Sequence, residues 1–345
     1  MPRASLELKI GPHVIDGGLV LAPMAGVTDP AFRRICRRLG AGLAVGEMAS
    51  SRAHLAQTSM TQRRLACDAD DPLPVVQLLG ADPREMAAAA QTAAEMGARI
   101  IDINFGCPAR VVCGKACGSA LMREPALAQD IMRAVVEAMA PEGIPVTVKM
   151  RTGWDEKTKN ALCLAKMAQD AGVSAVTVHG RTRAQRFSGA VNRRDIAQVV
   201  QGVDIPVVAN GDIGSPELAG IMLDETGAAG LMIGRAARGN PWIFSRTRAV
   251  LEGRPDPGAP DLAERRRVVL EHLAEHLSYW TSQGTDEKHA LRSFRMHLSA
   301  YLAPLAGAGA SPALRELGAK LLRIDAAAEV EENLETFFCL SGKQN

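Results

Sequence analysis

Several residues stand where their type and neighbours could do chemistry. Lys149 follows the apolar run Pro145-Val146-Thr147-Val148. An ammonium at the end of such a run is partly desolvated. It could stabilise an anionic cofactor or intermediate or form a Schiff base, or it could simply pair with a carboxylate such as Glu47. His179 opens the segment His-Gly-Arg-Thr-Arg. Its imidazole can hydrogen-bond a ligand, and Arg181 and Arg183 suit phosphate oxygens unless the loop is merely solvated. Asn210-Gly211-Asp212 and Gly234-Arg235 join glycines to polar groups. That composition suits a backbone cradle for phosphate, although turn glycines read the same way. Cys107 lies between Gly106 and Pro108, where a thiol can serve as nucleophile, proton donor or small core residue. Cys113 and Cys117 extend it to C-x5-C-x3-C. This is not a zinc spacing and no histidine completes it, so no metal site is expected.

These residues share a position in the chain's rhythm. Eight short apolar runs (19–26, 43–48, 74–80, 99–106, 144–151, 174–180, 205–212 and 230–236) alternate with amphipathic stretches. Their near-continuous Val, Ile and Leu content suits buried parallel strands. Asp29-Pro30, Asp82-Pro83 and Ser215-Pro216 open three of the intervening stretches as helix caps, and Gly40, Gly97 and Gly227 close them. Eight β-then-α units predict an α/β fold, a (β/α)8 TIM barrel. The opening Leu8-Lys9-Ile10-Gly11-Pro12-His13-Val14-Ile15 suits a hairpin on the barrel floor. Working groups of such a barrel sit at the C-terminal ends of the strands. There the runs present Ala22-Pro23-Met24, Glu47, Gln77, Asn104, Lys149, His179, Asn210 and Gly234-Arg235. An inert barrel has no reason to place polar groups so regularly. After Ile243 the pattern changes. The Gly- and Pro-rich stretch 253–261 reads as a boundary, and only helix-like segments follow. The expected division is a barrel domain over 1–250 and a small helical domain over 251–345.

Bulk composition narrows the class. Among 345 residues, 47% are hydrophobic, which suits a packed globular protein rather than a disordered one. No apolar run reaches the roughly 18 residues of a membrane span. The first residues lack the apolar core of a signal peptide, so a cytoplasmic protein is expected. Seven cysteines in a chain this large do not suggest a disulfide framework. Lys and Arg number 40 against 38 Asp and Glu, which excludes a non-specific polycation. Aromatics at 3% argue against a base-stacking platform as the main binding device.

The segments LAPMAGVTDPAFRR, VVQLLG, IDINFGCPA, GKACGSALM, VTVKMRTGW, VTVHGRTR, VVANGDI and LMIGRAARGNPWIF follow one another in order. Together they resemble the bacterial tRNA-dihydrouridine synthases, and within them the B-type subfamily, over nearly the whole barrel. The resemblance implies an FMN enzyme in which NADPH reduces the flavin. Hydride then passes to C6 of a D-loop uridine in tRNA, with uridine 17 the position the B type suggests. It implies that Ala22, Pro23 and Met24 line the flavin ring, that Gln77 bonds its pyrimidine edge, and that Lys149 stands near its N1 and O2 side. His179 would also touch the flavin. Asn210, Gly211, Asp212, Gly234 and Arg235 would hold the ribityl chain and phosphate. Asn104 would touch the target uracil, and Cys107 would protonate its C5 as a neutral thiol. Lys115, Arg181 and Arg183 would face tRNA. The segment Val111-Val112-Cys113-Gly114-Lys115-Ala116-Cys117 departs from the polar loop of related B-type chains.

The helical tail then implies a tRNA-recruiting domain. Its Arg265, Arg266, Arg267, Arg292, Arg295, Arg315, Lys320 and Arg323 are masked in the total charge by an acidic final helix bearing Asp325, Glu329, Glu331, Glu332 and Glu335. A basic stripe, salt-sensitive in its binding, is expected from some of these. Two other classes compete: a flavin reductase of free pyrimidines on the same kind of barrel, which does not need the tail, and a tRNA-binding or folding factor without turnover, which does not need every motif filled. No membrane and no obligate protein partner are implied, and a monomer is the default.

Overall fold

A two-strand hairpin leads into the barrel. In the computed structural model, which describes residues 6–342 apart from 56, 69, 115 and 308, β1 (Leu8–Ile10) pairs antiparallel with β2 (His13–Ile15) around Gly11, whose φ of 55° a side chain would resist. Leu8, Ile10 and Ile15 are buried together with Leu43, Val45, Val75, Ile100, Ala175 and Val208. Leu43, Val75, Ile100 and Ala175 start their strands, so the hairpin plugs the N-terminal end of the barrel.

The barrel strands are β3 (Leu19–Leu21), β4 (Leu43–Ala44), β5 (Ala49–Ser50), β6 (Val75–Leu79), β7 (Ile100–Phe105), β8 (Val146–Arg151), β9 (Ala175–His179), β10 (Val207–Asn210) and β11 (Gly230–Ile233). They form one parallel sheet in the order β4-β3-β11-β10-β9-β8-β7-β6-β5. The second of the eight expected strands is split. Its first half, β4, pairs with β3 at Leu43 and Ala44, and its second half, β5, pairs with β6 at Ala49 and Ser50. A single bridge, Val45 to Val75, links the end of β4 to the start of β6 and closes the ring. The run 43–48 reads as continuous, but the ladder is interrupted at Gly46 and at Glu47, whose side chain bonds Gly26 and Arg64.

The helices begin where their caps direct. The Asp29 carboxylate accepts from Phe32 N–H, Asp82 from Arg84 and Glu85 N–H, and Ser215 Oγ from Leu218 N–H. Each cap satisfies backbone donors that the first turn cannot. Beyond the barrel, helices Leu262–Ser282, Glu287–Leu302, Pro312–Leu321 and Ala327–Gly342 gather a second core around Phe294, Leu298, Tyr301, Leu334 and Phe337. Ile35 and Trp242 of the barrel enter that core, so the helical domain is seated on the barrel. Each fully buried Leu or Phe there stabilises by about 1.5–3 kcal/mol. The joint also carries ion pairs of Arg34 with Glu275 at 2.8 Å and of Arg38 with Glu271. Among the described residues no helix is long and apolar enough to cross a membrane.

Candidate active site

Strand register gathers the polar groups. Gln77 lies beside Asp102, Asn104 beside Lys149, and His179 beside Asn210 in adjacent parallel strands. Because side chains alternate along a strand, Asp102 and Asn104 share a face, as do Thr147, Lys149 and Arg151. An open cavity of about 1170 Å³ lies over this belt. Ala22, Pro23, Met24, Gln77, Asn104, Cys107, Lys149, His179, Asn210, Gly211, Asp212, Gly234 and Arg235 all line it. Arg181 and Arg183 do not, and Lys115 lies outside the described residues.

The floor is a directed chain of hydrogen bonds. Asn104 Oδ1 accepts from the backbone N–H of Gly106 at 3.0 Å and of Cys107 at 2.9 Å. Asn104 Nδ2 therefore donates to Gln77 Oε1 at 2.8 Å, and Gln77 Nε2 to Asp102 Oδ2 at 2.7 Å. Thr147 Oγ1 donates to the other carboxylate oxygen at 2.6 Å. Burial raises the Asp102 pKa, while Thr147, Gln77 and the Lys149 charge counter it. Gln77 keeps one amide hydrogen for a ligand. Asn104 is occupied with the cysteine loop, so it acts chiefly as that loop's anchor.

Lys149 is not paired with Glu47. Its Nζ donates to Asn210 Oδ1 at 3.2 Å, whereas Glu47 accepts from Gly26 N–H and from Arg64 Nε. Burial, with the Arg151 charge, pushes the Lys149 pKa down to about 8. Burial among Lys149, Arg151, Arg181 and Arg235 pushes His179 down to about 2. Its ring is therefore neutral at ordinary pH, offering one donor and one acceptor. Asn210 donates through Nδ2 to Met232 O at 2.7 Å, which fixes its Oδ1 toward Lys149. Gly211 has φ 122°, and a Cβ there would lie 2.7 Å from Val191 and 2.8 Å from His179. Only glycine fits beside the imidazole.

The structure corrects the expected place of Arg181. It is 3% exposed, not at the surface. Its guanidinium donates to both carboxylate oxygens of Asp212, at 2.8 and 2.5 Å, and to the carbonyls of Ser188 and Gly189. Arg235 reaches Asp212 at 3.6 Å and lies over the exposed Phe187 ring. The Asp212 side chain thus holds two arginines. Arg183 stacks over Trp154 at 4.3 Å, with Arg123 also against that ring.

The cysteine loop is fixed from several sides. Cys107 O accepts from Ser119 N–H and Oγ and from the Cys113 thiol. Arg151 Nε donates to Gly106 O at 2.8 Å, and its Nη1 to Thr182 O and Arg186 O. Burial raises the Cys107 pKa above the ordinary thiol value despite the backbone N–H of Ala109, so the group is a thiol, not a thiolate. Cys117 is buried, and no disulfide links any of the seven cysteines.

The expected basic stripe is largely paired within the helical domain. Arg266 bonds Glu335, Arg267 bonds Glu264 and Glu271, Arg292 and Arg295 meet Asp325, and Lys320 meets Glu329. Arg265 is 7% exposed and lies over Trp242.

Residues that the motifs did not single out include Asp102, Thr147, Arg151 and Phe187. Asp102 hides in the apolar run 100–105, two positions before Asn104. Arg151 stands two positions after Lys149, on the same face. Phe187 is a lone ring in a loop of an aromatic-poor chain. That spacing of two was the available signal.

Fold and site together define a (β/α)8-barrel protein whose strand ends converge on one open, polar-floored cavity beside a cysteine loop. Residues 20–338 match the family model described as dihydrouridine synthase (Dus), and the chain belongs to that family. It is 48% identical over 303 residues to the tRNA-dihydrouridine synthase B of Pseudomonas aeruginosa, covering 87% of this chain and 88% of that one. It is 46% identical over 334 residues to the Pseudomonas syringae pv. tomato protein of the same name, covering 96% and 94%. Among solved structures, a variant of NCR from Zymomonas mobilis superposes with a TM-score of 0.53 at 17% identity, over 73% of this chain and 92% of that one. A 2-naphthoyl-CoA reductase complex does so with a TM-score of 0.54 at 10% identity, over 72% and 52%. These two likenesses concern the fold.

Proposed function

We propose that the chain is an FMN-dependent tRNA-dihydrouridine synthase that uses NADPH and acts on a D-loop uridine, position 17, in tRNA. The observation that carries this reading is the Cys107 thiol, kept protonated by burial at the rim of a cavity with Lys149 on its floor. The residues present suit a flavin. The cavity is large enough for a tricyclic ring and a base together. Gln77 has one unused amide hydrogen, Lys149 supplies a cation, His179 is neutral, and the backbone of 211–214 and 234–236 lines the end suited to a phosphate. When bound, FMN would take hydride from NADPH and supply it to C6 of the uracil.

The chain's own residues do the rest. Ala22, Pro23 and Met24 form the apolar wall against which a flat ring rests. Lys149, held by Asn210, places positive charge where negative charge develops. Asn104 and Arg151 hold the 106–107 backbone, so the Cys107 thiol has a fixed reach to C5 and donates its proton there. Arg181 positions Asp212 and the loops after β9 and β10. Arg183 on Trp154 offers a cation toward RNA, and Lys115 keeps the tRNA-facing role that the resemblance implies. Residues 251–345 serve as the tRNA-recruiting domain of a cytoplasmic monomer, and 1–250 as the catalytic one.

Mass-spectrometric mapping of dihydrouridine in tRNA from cells with and without the gene tests the reading. Loss of the base at one D-loop position is the expected result; an unchanged map would overturn it. A reductase of free pyrimidines would leave that map intact and consume NADPH with uracil alone.

A further inference from the structure

The joint between barrel and helical domain holds a second group of chemically active side chains, outside the lining of the cavity. Asp29 caps the helix after β3, while His272 and His276 lie one turn apart on helix Leu262–Ser282. All three are buried, at 7%, 0% and 2% exposure. One ligand atom from each lies within 4.8 Å of the other two. We propose that Asp29, His272 and His276 form a Zn²⁺ site that ties the helical domain to the barrel.

The hydrogen bonds around the rings set the nitrogen roles. Ser293 Oγ donates to Ala290 O at 2.7 Å, so it cannot also donate to His276. His276 Nε2, 2.8 Å from that hydroxyl and 3.1 Å from Ala290 O, must therefore be a donor. His276 Nδ1 points at Asp29 Oδ2, 2.7 Å away. His272 Nδ1 meets Tyr301 Oη at 3.1 Å, and its Nε2 has no hydrogen-bond partner among the described residues. Each ring is thus held by its outer nitrogen and turns the other inward, the arrangement by which outer partners orient metal-bound histidines. Asp29 Oδ1 is used by Phe32 N–H, and Oδ2 faces the rings while also accepting from Trp280 Nε1 at 3.3 Å.

Two occupants could bridge Asp29 and His276: a proton or a metal ion. A proton satisfies that pair and leaves His272 Nε2 orphaned in a dry interior, an arrangement that costs stability. A metal ion satisfies all three groups. Two imidazoles and one carboxylate are donors that suit Zn²⁺. Zinc–ligand bonds of about 2.0–2.1 Å set tetrahedral ligand atoms ~3.3 Å apart, somewhat more than the 2.7 Å between Asp29 Oδ2 and His276 Nδ1 and inside the 4.8 Å that bounds all three separations. His297, 1% exposed, has its ring 4.6 Å from that of His272.

The test uses untagged full-length protein, passed over chelating resin and dialysed against Zn²⁺. Plasma mass spectrometry should then find about one Zn²⁺ per chain. His272→Gln and Asp29→Asn should each lower that content about tenfold, and a chelator should lower the thermal midpoint of the wild type. Co²⁺ in place of Zn²⁺ should give the visible bands of a four-coordinate ion in the wild type. Wild-type protein that holds no Zn²⁺ after dialysis overturns the proposal and leaves a proton in the bridge. So does Zn²⁺ content unchanged in both variants, which would put the ion elsewhere, for instance on the cysteine loop. The wild-type measurements decide the matter even if a variant fails to fold.

Discussion

Cys107, Lys149 and Arg181 show how far side-chain identity predicts role. Cys107 and Lys149 sit where strand-end logic puts them. Cys107→Ala should keep flavin absorbance and lose dihydrouridine formation by about 10²–10⁴-fold, the usual worth of a positioned proton donor; single-turnover assays on tRNA would measure it. The Lys149 ammonium carries a pKa near 8, set by burial and Arg151. Its folded value is below that of the unfolded chain, so the cost of burying its charge is present below about pH 8. That cost is relieved as pH rises toward the ordinary lysine range. Function should run the other way: flavin reduction should fall as pH passes above 8, and Lys149→Met should be slow with that limb absent. Stopped-flow flavin bleaching across pH reads both. Arg181 could not be placed from sequence. An arginine in a loop reads as solvated, and its partner Asp212 is 31 positions away. Arg181→Ala should cost about 1–3 kcal/mol through the unpaired groups it leaves, and weaken flavin binding, as thermal melts and fluorescence titration would show.

At the scale of elements, apolar runs and helix caps made most of the barrel legible. Asp29, Asp82 and Ser215 cap helices as their spacing suggests because a short acceptor before Pro serves few other purposes. The split between β4 and β5 was not legible, since Leu43 to Met48 keeps an apolar look while Glu47 turns to bond Gly26 and Arg64. The histidines of helix Leu262–Ser282 were equally hidden. Their i, i+4 spacing was visible, but the carboxylate they face lies on another element far earlier in the chain. Gly211 is the element-end glycine with a strict demand. Gly211→Ala should cost about 1–3 kcal/mol from its positive φ alone and displace His179. A lowered thermal midpoint with weaker flavin binding is the expected outcome.

For the whole molecule, the near-neutral charge total has a structural counterpart. The acids of the final helix do more than cancel the arginines arithmetically: Glu335 and Glu329 bond Arg266 and Lys320 directly. Binding to tRNA should therefore depend on salt less steeply than eight free cations would dictate, each phosphate contact contributing a slope of about 0.7–0.9. Glu335→Gln should release Arg266 and steepen the slope by about one contact in anisotropy titrations. The broken second strand has a dynamic consequence of its own. Its halves hold their neighbours by two-residue ladders and the single Val45–Val75 bridge, so the ring has a seam. Local opening favours segments with few backbone bonds, and amides 45–51 should exchange hydrogen fastest among the barrel strands. Glu47 holds Gly26, and Met48 Sδ accepts from Asn104, so this seam touches both walls of the cavity. A ligand seated between those walls would act as a clasp on the barrel itself, slowing exchange at 45–51 more than at any strand that the ladder already secures.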